Sequence, residues 1–182
     1  DPLWSRGLGD VYKRQYLHIQ NIRHGNSFQY RVRVPRELQE AQVPKQILQP
    51  VVENVFKHAF HKTARPGKVL ISARAEGRFL MISVLDNGAG IPPEMLEKLN
   101  RSFEGTLEGN QKDGSSRIGL WNVHHRIRLI YGDNCGLSLK SAQGHYTRVE
   151  IRLLREPPEY PPQSRKIPPD CSAGVCPEKG WL

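Results

Sequence analysis

Residues 69–86, VLISARAEGRFLMISVLD, decide the fold. Apolar residues occupy every second position from 69 to 75, which predicts a half-buried strand. The pair Glu76-Gly77 marks a turn, and the apolar run at residues 79–85 predicts a second strand. The stretch therefore predicts an antiparallel hairpin.

The same patterns extend outward from this hairpin. Apolar residues alternate with polar ones at residues 28–34, and residues 137–140 and 147–154 flank a Gln143-Gly144 turn. Helical spacing fits residues 45–60, 93–100 and 120–131. Hairpin strands separated by helices predict an α+β protein, with a mixed, mostly antiparallel sheet covered on one face by helices, rather than a doubly wound parallel sheet.

Both ends of the 182-residue chain differ from the part between them. Residues 1–15 lack periodicity and contain DVYKRQ, which resembles the translation of a transposon end used in DNA library preparation, so we interpret them as a disordered cloning or assembly scar. Residues 157–182 are rich in proline and are expected to be a disordered tail. Residues 16–156 form the predicted domain.

Composition restricts the function classes. The hydropathy of the chain and the lack of a long apolar run predict a soluble protein, and the three cysteines lack metal-site spacing, which favours a reducing cytoplasm. The net charge of +9 suggests acidic partners or a solvated basic surface. No basic run is present, so nucleic-acid binding ranks last and no membrane contact is expected. The arginines are scattered along the sequence: Arg31, Arg33, Arg74, Arg78, Arg126, Arg128, Arg148 and Arg152.

Residues 49–58, QPVVENVFKH, lie in the first predicted helix. At about 100° per residue, one half of this helix is apolar and predicts a core-facing surface: Ile47, Leu48, Val51, Val52, Val55, Phe56 and Ala59. The other half gathers an acid, an amide and bases: Glu53, Lys57, Asn54, His61 and His58. This half indicates either a solvated face or a functional surface. Pro50 argues for function, because a mid-helix proline costs about 3 kcal/mol.

Residues 85–93, LDNGAGIPP, follow a buried strand. A carboxylate at that position, here Asp86, can accept a hydrogen bond from an exocyclic amine. The glycines at 88 and 90 would let a ring approach the backbone. A simple Asn-Gly turn is the alternative interpretation.

Residues 113–132, DGSSRIGLWNVHHRIRLIYG, form the third informative stretch. A polar lead at 105–116 precedes a helix whose apolar face contains Leu120, Val123, Ile127 and Ile130. The entry to such a helix offers free N–H groups and a positive dipole end, which favour an anion. An ordinary loop and helix is the alternative.

Taken together, the three stretches resemble the ATP-binding domain of the GHKL group, and most closely that of LytS/YesM-type sensor histidine kinases. QPVVENVFKH resembles the N-box, DNGAGI the first glycine box and IGLWNVHHRIRLIYG the second. YLHIQNIRHGNSFQY, at residues 16–30, resembles the segment that enters this domain from the dimerisation helices. The likeness covers residues 16–154 and implies the Bergerat two-layer ATP-binding fold.

The resemblance also implies roles for individual residues. Asn54 would be an oxygen ligand of Mg²⁺, Asp86 would bind the adenine amino group, and Glu53 is the candidate catalytic base. Residues 101–117 would form a mobile ATP lid. The implied nucleotide-binding residues are Asn54, Lys57, His58, Asp86, Gly88, Gly90, Ile91, Arg117, Gly119 and Leu120. Of these, Lys57 and His58 would face phosphate or ribose, and Gly119 and Leu120 would offer backbone N–H groups to the triphosphate.

Two departures from the family pattern bear on activity. The second glycine box commonly reads G-x-G-I-G-L, whereas Ser115 and Arg117 replace two glycines here. None of the seven histidines lies in a phosphoacceptor motif, so the domain is expected to be inactive as a kinase in isolation.

The resemblance implies phosphoryl transfer from Mg-ATP to a histidine on a separate dimerisation domain, in a homodimer. A response regulator receiver domain would be the next partner, and the parent would be anchored in the bacterial membrane. A degenerate nucleotide-binding interaction module and another GHKL ATPase are the alternatives.

Overall fold

The computed structural model describes residues 4–5, 28–44, 46–59, 66–104 and 115–156. Its main sheet has five strands: β2 (Phe28–Arg33), β4 (Gly67–Glu76), β5 (Phe79–Asp86), β6 (Gly136–Ala142) and β7 (Tyr146–Leu154). Three α-helices are described, α1 (Gln49–Asn54), α2 (Pro93–Glu104) and α3 (Ser115–Tyr131), together with a short 3-10 helix, Arg36–Leu38. A π-helical turn, Val55–Ala59, continues α1.

The strands are ordered β2-β4-β5-β7-β6 in the sheet. The β2–β4 pair is parallel and the other three pairs are antiparallel. Both predicted hairpins are present, with Val69 opposite Asp86 in one and Leu139 opposite Val149 in the other. The prediction of a mixed, mostly antiparallel α+β sheet is confirmed.

The core lies between one face of the sheet and the helices. The period of two in β4 turns Val69, Ile71 and Ala73 inward, each less than 9% exposed. All seven residues predicted for the apolar half of the first helix are buried, which confirms that prediction. On α3, Leu120, Val123 and Ile127 are buried as predicted, and Ile130 packs partly buried against the core.

The first helix begins later than predicted, at Gln49 rather than residue 45. Pro50 therefore lies in the first turn, where the backbone N–H has no helical partner in any case. The prediction that Pro50 destabilises the helix as a mid-helix proline was therefore wrong. Gln46, just before the helix, has a positive φ of 62°, so the chain turns sharply into α1.

The helix boundaries around the predicted lid also differ from expectation. Helix α2 extends to Glu104 instead of ending at residue 100, because Phe103 is buried against the core. Helix α3 begins at Ser115 rather than Leu120. Ser115 and Arg117 stand where the family pattern has glycines, and both have a higher helix propensity than glycine. The predicted lid at 101–117 is thus helical at both ends, and residues 105–114 lie outside the described residues.

Several predictions fall largely outside the described residues. These are the interpretation of residues 1–15 as a scar, the entry segment 16–27 and the tail 157–182. Within the first of these, Trp4–Ser5 (β1) pairs antiparallel with Val43–Pro44 (β3). None of the helices in the described part of the chain combines the length and the apolar composition needed to cross a membrane.

Candidate functional site

Asp86 lies at the end of β5 on the helix-covered face of the sheet. Its side chain is only 3% exposed. The carboxylate accepts hydrogen bonds from the backbone N–H of Gly88, at 2.8 Å, and of Thr147. Burial raises the pKa of the Asp86 carboxyl to about 6, although these two hydrogen bonds lower it. Asp86 is therefore a costly buried acid rather than half of a surface ion pair.

The loop after Asp86 is fixed by its neighbours. Ala89 donates a hydrogen bond to the carbonyl of Ala59 at 3.0 Å, which joins the loop to the end of the π-helical turn. On the other side, the Ala89 carbonyl accepts a hydrogen bond from Gly144 N, and Ile91 N donates to Ser141 Oγ at 2.8 Å. The loop is thus clamped between the first helix and the β6–β7 hairpin.

Two glycines permit this clamp. A Cβ at Gly88 would lie 2.4 Å from the Cβ of Ala59, and one at Gly90 would lie 2.1 Å from the carbonyl oxygen of Ala142. Gly90 also has a positive φ of 66°. The structure therefore gives both glycines a packing role inside the protein. Their predicted contact with a ring or a lid stays a prediction.

The polar half of the first helix faces outward as predicted. Glu53 and Asn54 are partly exposed and Lys57 is exposed. Glu53 accepts a hydrogen bond from Gln49 Nε2 at 2.9 Å. The π-helical turn begins directly after Asn54, and such turns are frequent at functional sites. The side chain of His58 and the whole of His61 lie outside the described residues.

Glu53 and Gly119 line one cavity of about 380 Å³ between the start of the first helix and α3. Asn122 and Arg126, on successive turns of α3, also line it. A Cβ at Gly119 would meet no atom of the described residues within 4 Å, so their packing does not require a glycine there. Glycine in a helix costs about 1 kcal/mol relative to alanine. A glycine there leaves this wall of the cavity open.

The backbone N–H groups of Gly119 and Leu120 are not at the helix entry, contrary to expectation. Because α3 begins at Ser115, these groups lie within the helix, and the free N–H groups of the first turn belong to residues 115–118. The side chain of Arg117 is outside the described residues. The anion-binding end of α3 is therefore one turn earlier than the sequence indicated.

Two further side chains position the helices, and neither was singled out from the sequence. Asn100 on α2 exchanges hydrogen bonds with the backbone of Leu139, at 3.0 and 3.1 Å. His124 on α3 accepts a hydrogen bond from Leu137 N at 3.0 Å and stacks on Phe103. His124 follows Leu120 by four residues, so its position on the buried face could have been inferred from the helical spacing.

His124 is held neutral. Burial lowers the pKa of its imidazole, and the nearby Arg128 guanidinium lowers it further. Arg128 also donates a hydrogen bond to the carbonyl of Phe103 at 3.3 Å, close to the end of α2. The last turn of α2, which falls within the predicted lid, is thereby tied to α3.

The chain matches the family described as histidine kinase-, DNA gyrase B- and HSP90-like ATPases over residues 39–157. Sensor histidine kinase BtsS of Escherichia coli K12 is 33% identical over 138 residues, which is 76% of this chain and 21% of that protein. Sensor histidine kinase YesM of Bacillus subtilis is 30% identical over 140 residues, 77% of this chain and 22% of that protein. The chain thus spans about a fifth of the length of these relatives.

A solved structure, the nucleotide-free catalytic domain of histidine kinase ThkA, superposes with a TM-score of 0.58. It is 17% identical, and the match covers 85% of this chain and 98% of that one. At this identity the likeness shows the fold alone. The family match, the two relatives and the fold confirm the resemblance that the three sequence stretches carry. The chain belongs to the histidine kinase-, DNA gyrase B- and HSP90-like ATPase family, as an ATP-binding domain of the sensor histidine kinase type represented by LytS and YesM.

Proposed function

We propose that this chain is the catalytic domain that binds Mg-ATP in a sensor histidine kinase and presents the γ-phosphate to a histidine of a dimerisation domain. The observation that carries the proposal is Asp86, a buried carboxylate at a strand end whose pKa is raised to about 6. Strongly perturbed groups of this kind are concentrated at functional sites. An adenine amino group would give this carboxylate a further hydrogen-bond donor.

The first helix would hold the nucleotide along its polar side. The clamp at Ala59 brings one end of this helix to the loop after Asp86, and Glu53 lies six residues earlier at the cavity shared with Gly119. That separation is about 9 Å along a helix axis. Adenine would lie near Asp86 and the phosphates toward Glu53, with Lys57 and His58 facing phosphate or ribose and Ile91 beside the glycine loop.

The residues of the site fit a magnesium ion that arrives with the nucleotide. No group of three or more acidic, histidine or cysteine side chains suited to a metal occurs among the described residues. Mg²⁺ prefers oxygen ligands and usually keeps several waters and substrate phosphates, so the single amide oxygen of Asn54 suffices as a protein ligand. When bound, the ion would neutralise phosphate charge.

The other contributions of this domain to phosphoryl transfer would be to position the nucleotide and to stabilise its negative charge. The free N–H groups at the start of α3, together with the charge of Arg117, would stabilise the anionic phosphates. Glu53 would orient the attacking imidazole or accept its proton, and it lies at the cavity where the acceptor would enter. Such a domain needs no covalent intermediate of its own, because the phosphoryl group passes directly to the acceptor histidine.

The wider setting follows from the same proposal. The domain would act in a homodimer whose dimerisation helices carry the acceptor histidine, and a response regulator receiver domain would take the phosphoryl group from it. The domain would work on the cytoplasmic side of a parent protein anchored in the bacterial membrane.

Calorimetric titration of ATP into the full chain, with and without Mg²⁺, tests the binding step. We expect a Kd between about 1 μM and 1 mM. Asp86→Asn should abolish binding, because an amide presents an N–H group toward the adenine amine. Asn54→Ala should remove the gain from Mg²⁺ while leaving metal-free binding unchanged.

Two exposed positions provide matched controls. Glu94→Gln on α2 repeats the change from acid to amide, and Asn134→Ala in the α3–β6 turn repeats the truncation. Both should bind like the wild type. A folded wild-type chain that takes up no nucleotide would contradict the proposal.

A nucleotide-binding interaction module without kinase activity is a second candidate. The start of α3 at Ser115 favours it, since a helical turn there replaces the glycine-rich entry of the family. A phosphorylation assay distinguishes the two candidates: the dimerisation segment is fused upstream of this chain and radiolabelled ATP is added. Labelling of the histidine supports the kinase, whereas ATP binding without labelling supports the module.

A further inference from the structure

The face of the sheet opposite the helices is strongly basic. The strand registers place seven cationic side chains there against two acidic ones. The cations are Arg31, Arg33, Lys68, Arg74, Lys140, Arg148 and Arg152, and the acids are Glu76 and Glu150. Positions scattered along the sequence therefore share one surface of the described sheet, because strands expose every second residue to the same side.

The charge is unevenly distributed over this face. Glu150 pairs with Lys140 at 3.0 Å and with Arg74 at 3.6 Å, and Arg152 lies over the Phe79 ring at 3.8 Å. These contacts partly neutralise the end near the β4–β5 turn. At the opposite end, Arg31, Arg33 and Lys68 form no ion pair with the described part of the chain, while Arg148 interacts with the charge of Glu150.

At that opposite end lies a groove of about 470 Å³, larger than the cavity at the nucleotide site. Half-buried Leu70 and Leu85 form its floor. Its walls include Tyr146 and the cationic side chains of Arg31, Arg33, Lys68 and Arg148. Val69 and Asp86 also border it, but their side chains point to the helices, so the groove is separate from the nucleotide site.

One cation of the groove is partly desolvated. The Nε atom of Arg148 is buried and has no hydrogen-bond partner among the described residues. A buried charged donor without a partner is unfavourable, and a carboxylate can engage a guanidinium through two parallel hydrogen bonds. Arg31 and Arg33 are two positions apart on β2, which is about 6.6 Å along a strand. Acidic side chains at alternate positions of an extended chain would match this spacing.

We propose that this groove, lined by Leu70, Leu85 and the four cations, docks an acidic polypeptide segment in extended form, with acidic side chains at alternate positions facing the cations. The apolar floor favours such a segment over a single-stranded nucleic acid, which would stack several bases on aromatic rings. Tyr146 is the one aromatic residue lining the groove in the described chain. A membrane surface would reach the rim but not the recessed leucines.

Fluorescence anisotropy of the full chain with a labelled peptide of alternating Glu and Leu tests this proposal. We expect micromolar binding that weakens with salt, and a loss of at least about tenfold in the double variant Arg31→Glu/Arg33→Glu. A peptide of alternating Glu and Ser should bind equally well, since an extended chain turns only its Glu side chains toward the groove, and a Lys–Leu peptide should not bind.

The matched control reverses two exposed cations elsewhere, Arg36→Glu/Lys98→Glu, for the same change in net charge. It should retain the affinity of the wild type, and both double variants should still bind Mg-ATP, which shows that they are folded. Equal losses in the two variants, or no binding of the Glu–Leu peptide, would overturn the proposal. So would a labelled oligodeoxythymidine or a phosphatidylserine vesicle that binds more tightly than the peptide and loses affinity through Arg31 and Arg33.

Discussion

At neutral pH the buried Asp86 carboxylate is charged in a place that favours its protonated form. Its folded pKa of about 6 lies above the ordinary pKa of 3.8 for an unperturbed aspartate carboxyl. The stability that it contributes is therefore fully present below about pH 3.8 and is lost as the pH rises through 6. The shift corresponds to about 3 kcal/mol at most. Asp86, the proposed adenine-binding acid, thus lowers the free energy of unfolding of the domain at neutral pH.

Asp86→Asn should consequently stabilise the nucleotide-free chain while it removes ATP binding. The amide oxygen can still accept the hydrogen bond from Gly88 N, and no charge remains to be desolvated. Urea unfolding at pH 7.5 should show a gain of about 1–3 kcal/mol that shrinks toward zero near pH 4. A variant less stable than the wild type at pH 7.5, or a gain independent of pH, would contradict this account.

The glycines of the site should respond in opposite directions to alanine substitution. Gly88→Ala places a Cβ against the backbone and side chain of Ala59 and should destabilise the fold by about 1–3 kcal/mol. The added Cβ of Gly119→Ala meets no atom of the described part of the chain within 4 Å, and the substitution should stabilise the fold by up to about 1 kcal/mol. Thermal unfolding measures both effects. Calorimetry should show weaker Mg-ATP binding for Gly119→Ala, and unchanged binding would remove Gly119 from the site.

Among the secondary structure elements, β6 shows how the helices protect the sheet. It is the last strand of the sheet order, and the backbone groups on its outer edge meet side chains from two helices. The Asn100 amide forms hydrogen bonds with the backbone N–H and carbonyl of Leu139, and His124 accepts a hydrogen bond from the N–H of Leu137. An open strand edge is a site for unwanted pairing between molecules. These two side chains therefore provide hydrogen bonds that a neighbouring strand would otherwise form with β6.

Asn100→Ala should leave both the N–H and the carbonyl of Leu139 without these partners. We expect a loss of about 1–3 kcal/mol in the free energy of unfolding, measured with urea. Asn134→Ala, in an exposed turn, should change it by less than about 0.5 kcal/mol. Similar values for the two variants would show that water replaces the Asn100 amide without cost.

Local patterns explain why the elements were predicted better than their ends. The hairpins were predictable because alternation and a turn pair such as Glu76-Gly77 act within a few residues. The helix starts were not, since Gln46 turns the chain by a positive φ and Ser115 continues a helix where the family pattern has glycine. Asn100 was missed because its role depends on a strand far along the chain. Asp86 was found because its strand and its loop are adjacent in sequence.

At the scale of the molecule, the grouping of cationic side chains on one face of the sheet could not be predicted from the sequence. Alternation within each strand could be read from the sequence, but which residues of different strands share a face depends on register. The pairing of Leu70 with Leu85, and of Leu85 with Arg148, brings distant positions together. A scattered distribution of arginine thus becomes a basic surface only after the sheet is assembled.

Repulsion within this surface should make the stability of the chain depend on salt. Raising NaCl from about 20 to 300 mM shortens the range of charge interactions severalfold and should increase the urea midpoint. Arg31→Gln/Arg33→Gln should reduce that increase, whereas Arg36→Gln/Lys98→Gln should reduce it less. A midpoint that falls with salt in the wild type would mean that ion pairs such as Lys140–Glu150 outweigh the repulsion.

The parallel pairing of β2 with β4 has a consequence for how the chain reaches this structure. The β4–β5 and β6–β7 hairpins close through short turns, but Phe28 meets Gly67 only after the whole first helix has crossed over the sheet. Long closures cost more entropy and are made slowly. Strand β2 should therefore join last. Arg31 and Arg33 would complete the basic groove only in that final step. A newly made chain would therefore form the loop after Asp86, held by the first helix and the β6–β7 hairpin, before the docking groove is complete.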